Sequence, residues 1–110
     1  MDIKAILSNL HFEQLSEMQR NAIELIRNNA NAVILAPTGT GKTLAFLIPL
    51  TESIDTTTNT LQAVILSPTR ELAIQTFNVL QQMKTSCRAV CSYGGKPTMT
   101  EHKQIEALKP

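Results

Sequence analysis

Two glycines, a lysine and a threonine stand together in "APTGTGKT", Ala36 to Thr43, directly after the apolar run "AVILA". These residue types at this spacing suit a phosphate. Successive backbone N–H groups at the head of a helix can converge on anionic oxygens. Gly39 and Gly41 allow backbone angles and close approaches that a Cβ would block. Lys42 can reach the β- and γ-phosphates of a nucleotide, and the Thr43 hydroxyl can ligate Mg²⁺. Thr38, Gly39, Thr40, Gly41, Lys42 and Thr43 are therefore the candidate binding residues. Lys42 and Thr43 are the candidate catalytic pair, and Thr43 is the candidate metal ligand. The general pattern G-x-x-x-x-G-K-[ST] has glycine where this chain has Ala36. A strand-to-helix turn that merely uses glycine is the duller reading. The preceding apolar run and the following apolar helix, both in register, favour nucleotide binding.

The elements that must hold this loop are legible as a pattern. Three apolar runs rich in β-branched residues, "AVILA" (32–36), "AVILS" (63–67) and "RAVCSY" (88–93), each precede a turn signal. A helical pattern follows each run. Nearly continuous apolar strands alternating with helices predict an α/β domain, with a three-stranded parallel sheet flanked by helices. An earlier helix opens at "SEMQ", where Ser16 and Gln19 fit a capping box, with Met18, Ala22, Leu25 and Ile26 as its apolar stripe. A second helix, Thr43 to about Ser53, is apolar nearly all round and should be buried, with Pro49 loosening a turn. A third begins near Thr69 with Ala73, Phe77, Leu80 and Met83 as its stripe. A weaker fourth follows "TMTE", with Ile105 and Leu108 inward. "DTTTNT" (55–60) reads as a loop.

Composition bounds the rest. The chain has 110 residues, 43% hydrophobic and 17% charged, with a net charge of +1. That is the profile of a single globular domain, and it makes no bulk electrostatic argument about nucleic acid. No apolar run approaches the ~20 residues that span a bilayer. The N-terminus lacks the basic start and long apolar centre of a signal peptide. No membrane association and a cytoplasmic location are the expectations. Cys87 and Cys91 fall short of a zinc spacing and read as small buried thiols.

Several segments together carry a resemblance. The Ala-first form of the phosphate loop is used by superfamily 2 helicases. "SPTRELAIQ" (67–75) closely resembles motif Ia of the DEAD-box RNA helicases, "HFEQLSEMQ" (11–19) their Q motif, and "YGG" (93–95) their GG motif. The matches follow the family's order from Phe12 to Gly95. The resemblance implies a partial RecA-like P-loop domain, with residues 1–110 as the front of a helicase ATP-binding domain that stops before the acidic Asp-Glu-Ala-Asp motif. It implies ATP with Mg²⁺ as the ligand and RNA as the partner, single- or double-stranded, gripped by its backbone without sequence reading. Gln19 would recognise adenine. Thr69 and Arg70 would touch the RNA backbone, and Gly94 and Gly95 would let it approach. His11 and Leu15 depart from the family's usual Gly and Pro.

Each role has a plainer counterpart. Gln19 also serves the capping box with Ser16, Arg70 and Glu71 suit a local ion pair, and Gly94-Gly95 suit a turn. Phe12 reads as a core or staple residue rather than an adenine platform. Two other functions stay open: a fragment of another P-loop ATPase such as a DNA-directed helicase, and a stand-alone, non-catalytic nucleotide-binding module. No Asp-Glu-Ala-Asp sequence occurs, so the 110 residues by themselves should not hydrolyse ATP. The open edge of a three-stranded sheet would invite a dimer.

Overall fold

Ile3, Ile6, Leu7 and Leu10 recur at i, i+3, i+4 and i+7, and they build a helix for which the sequence reading made no provision. In the computed structural model, which describes residues 3–37, 39 and 41–93, this is α1, Ile3–Asn9. It ends in a Schellman arrangement: the Phe12 N–H donates to the Leu7 carbonyl at 2.8 Å and the His11 N–H to Ser8 at 3.1 Å. His11 takes the left-handed conformation this requires, with φ of 63°. The glycine usual at this position in the resembling family would adopt that angle without strain.

Three more helices follow: α2 (Glu17–Asn28), α3 (Lys42–Glu52) and α4 (Arg70–Met83). The core gathers Ile6 and Leu7 of α1, Ile23 of α2, Leu44, Leu47 and Ile48 of α3, and Met83 of α4. α3 is central, packed against both α2 and α4, while α1 lies on α4. Leu47 and Ile48 are completely buried, and each burial is worth roughly 1.5–3 kcal/mol. α3 runs on through Pro49, and the buried Thr51 hydroxyl donates back to the Leu47 carbonyl at 2.9 Å. The Asn9 amide ties α1 to the end of α4 through the Met83 carbonyl at 3.1 Å.

The three-stranded parallel sheet is not formed. The described residues contain four helices and no β-strand. A strand exists only through its ladder, and parallel ladders join segments far apart in sequence. Apolar β-branched runs favour extended backbone, but they do not by themselves supply a partner in register. Val33 is 83% exposed, Leu35 92% and Leu66 90%, where a sheet covered on both faces would bury them. The runs 63–67 and 88–92 border a shared cavity of about 420 Å³, also lined by Phe77 and Leu80 of α4, instead of closing on each other. With no strand edge among the described residues, a dimer through such an edge has no structural basis here.

Other expectations divide. The loop at 55–60 is a loop, closed by the Gln62 side chain, which accepts from the Asp55 N–H and donates to its carbonyl, both at 2.8 Å. Cys87 and Cys91 are half-buried rather than buried. Phe12 is 53% exposed and so is no core residue. No helix among the described residues is long and apolar enough to cross a membrane. Ile105, Leu108 and the weak helix around them lie outside the described residues.

Candidate functional site

The site is built where α2 and α3 begin. Ser16 caps α2 in the expected reciprocal form: its hydroxyl accepts from the Gln19 N–H at 3.1 Å, and Gln19 Oε1 accepts from the Ser16 N–H at 2.8 Å. This leaves the amide nitrogen of Gln19 pointing the other way. Nε2 donates to the Gly41 carbonyl at 3.3 Å. Gln19 is therefore buried, with only 8% exposed, and both ends of its amide are paired. The apolar face of α2 turns with it: Gln19, Ala22 and Ile23 are buried, Met18 and Ile26 half-buried, and Leu25 exposed. The predicted stripe is rotated because a satisfied amide can occupy a core-facing position.

Gly41 is the N-cap of α3, left-handed at φ 82°, and Gly39 is left-handed at φ 81°. Both glycines supply the left-handed backbone, and Gly41 carries a second constraint. A Cβ on Gly41 would stand 2.4 Å from Gln19 Nε2, whereas a Cβ on Gly39 would meet nothing within 4 Å. Ser16 and Thr69 cap α2 and α4 with their side chains, but α3 has no side-chain cap. Gly41 puts no capping side chain on its first-turn N–H groups, which begin at Lys42 and carry the positive end of the helix dipole. Lys42 is exposed beside them and Thr43 half-buried. This arrangement fits an anion. Thr43 stands where the pattern needs a hydroxyl for a metal ion brought in with the phosphates. Thr38 and Thr40 lie outside the described residues.

Thr69 and Arg70 open α4. The Thr69 hydroxyl accepts from the Leu72 N–H at 3.1 Å, so it is engaged in its own cap. Arg70 Nε lies 3.9 Å from Glu71 Oε1, with both side chains largely exposed. The local pair anticipated for these two residues is present, and at that exposure it contributes little to stability. Gly94 and Gly95 fall outside the described residues. The sequence reading missed the Gln19–Gly41 bond, because spacing within one helix says nothing about a partner 22 residues away.

With this geometry established, comparison with known proteins is specific. The DEAD/DEAH box helicase family model matches residues 16–109. The chain is 47% identical over 79 residues to the ATP-dependent rRNA helicase spb-4 of Neurospora crassa, covering 67% of this chain and 12% of that protein. It is 38% identical over 110 residues to the DEAD-box ATP-dependent RNA helicase CshA of Bacillus subtilis, covering 98% of this chain and 22% of that one. It is 42% identical over 99 residues to the ATP-dependent RNA helicase DBP10 of Vanderwaltozyma polyspora, covering 84% and 10%. The chain thus spans a quarter or less of the length of each of these relatives.

Proposed function

The chain belongs to the DEAD/DEAH box helicase family, and from that premise we propose that it is the ATP-gripping part of an ATP-dependent RNA helicase. The observation that carries this reading is the head of α3, where two left-handed glycines lead into a helix start that has no side-chain cap and is fastened to Gln19. The first-turn N–H groups of α3 hold the β- and γ-phosphates, with Thr38, Gly39, Thr40 and Gly41 forming the loop around them. Lys42 neutralises their charge, and Thr43 would hold the accompanying Mg²⁺. Bound in this way, the ion would offset charge on the phosphate oxygens.

Gln19 reads adenine with the hydrogen-bonding capacity its amide retains. One N–H of Nε2 goes to Gly41 and one lone pair of Oε1 to Ser16, which leaves one donor and one acceptor for a base edge. RNA lies along the start of α4. The Thr69 hydroxyl accepts from the Leu72 N–H in the cap and keeps its own O–H to donate, so Thr69 and the Arg70 guanidinium, with nearby backbone N–H groups, meet the phosphates. Gly94 and Gly95, outside the described residues, are assigned to the same RNA contact on the family motif alone. Such contacts grip single or paired strands without reading sequence. Titration of the chain with a fluorescent ATP analogue tests the reading: displacement by ATP but not by GTP supports it, and equal displacement by both refutes the role of Gln19.

A further inference from the structure

The two halves of the nucleotide site ride on two helices, and those helices are joined at both ends. At the site, Gln19 Nε2 of α2 donates to the Gly41 carbonyl ahead of α3 at 3.3 Å. At the opposite end, Arg27 in the last turn of α2 makes a two-pronged bond to Glu52, the last residue of α3. Its Nε donates to Oε2 at 3.1 Å and its Nη2 to Oε1 at 2.5 Å. At 1.5 Å of rise per residue, Arg27 sits about 12 Å along α2 from Gln19, and Glu52 about 16 Å along α3 from Gly41. Midway, Ile23 packs with Leu44, Leu47 and Ile48. Beside the far ends of the two helices, Ile26, Arg27, Pro49, Glu52, Val64 and Ile65 are among the residues lining an open cavity of about 650 Å³.

We propose that the Arg27–Glu52 pair positions Gln19 against the phosphate loop by fixing the splay of α2 on α3, so that base and phosphate are recognised in one geometry. This rests on the nucleotide reading above. A partly exposed ion pair adds little to stability, but a two-pronged one fixes both distance and plane. It joins α2 to α3 at the end away from the site, with the Ile23 cluster as fulcrum. When it is broken, α3 with Lys42 and Thr43 stays held by its packing on α4, while the α2 end that carries Gln19 is free to drift. Glu24 stands one turn before Arg27 on the same helix and accepts from Asn28 at 3.2 Å. In a Glu52 variant it offers Arg27 a local partner, so the bridge between helices is lost without stranding a charge.

The test titrates the chain with MgATP and, separately, with magnesium tripolyphosphate, which has the phosphates and no base. Arg27→Ala and Glu52→Ala should each weaken MgATP by about 2- to 5-fold and leave tripolyphosphate unchanged. The charge exchange, Arg27→Glu with Glu52→Arg, should restore MgATP. Parallel losses for both ligands, no loss for either, or failure of the exchange to restore MgATP in a chain that still melts cooperatively would overturn the proposal. If the unaltered chain bound neither ligand, the nucleotide reading itself would fall and take this inference with it.

Discussion

Gln19 Nε2 and the Gly41 carbonyl, 3.3 Å apart, join the start of α2 to the start of α3. The same side chain completes the cap of its own helix through Oε1. One amide thus ties a local helix signal to the proposed phosphate loop. Gln19→Ala removes both bonds and should cost about 1–2 kcal/mol in chemical denaturation. It should also abolish discrimination between ATP and GTP. Unchanged discrimination would assign Gln19 to the cap alone.

The two loop glycines should respond unequally. Alanine at Gly39 meets only the left-handed backbone, a cost of about 1–2 kcal/mol. Alanine at Gly41 meets the same cost and also the Gln19 amide, 2.4 Å from the new Cβ. Gly41→Ala should therefore be the more destabilising of the two by thermal melting. Its excess should shrink when Gln19→Ala is added, a coupling that independent sites would not show.

His11 holds a conformation that suits glycine, at φ 63°. His11→Gly should raise stability by about 0.5–1 kcal/mol, because relief of the strained backbone exceeds the added freedom of the unfolded chain. A urea midpoint that falls on this substitution would show that the His11 side chain makes a compensating interaction.

How far such features were visible in the sequence depends on their range. The Ser16–Gln19 cap and the Gly39–Thr43 loop were legible because each is written in adjacent residues. α1 has an equally good apolar period, but it closes on His11 where a glycine would have announced the stop. The face of α2 was misplaced because Gln19 looks like a surface residue until its second partner, Gly41, is known. The sheet was overcalled for the opposite reason. "AVILA" and "AVILS" declare an extended preference, yet pairing depends on register between distant segments, and no local pattern encodes that.

Asp55 provides a pH handle. The Thr57 hydroxyl and the Thr57 N–H both donate to Oδ1, at 2.6 and 2.9 Å. These bonds, the hydroxyl's first, hold the carboxyl below its ordinary value of 3.8. A lowered folded value means that the added stability is present above the unfolded carboxyl's titration and is lost as pH falls through the folded one. NMR of the Thr57 amide should show the 55–62 loop opening at acid pH below 3.8, ahead of the α2–α3 core. A Thr57 amide that titrates with the core, or at the ordinary carboxyl value, would contradict this.

The central claim is that the start of α3 grips a triphosphate. Isothermal titration of MgATP into the chain, unaltered and as Lys42→Ala, tests it most directly. The account predicts saturable binding of one nucleotide, weakened about 10- to 100-fold when the lysine's charge-assisted bonds to phosphate are removed. No binding, or binding indifferent to Lys42, would contradict it.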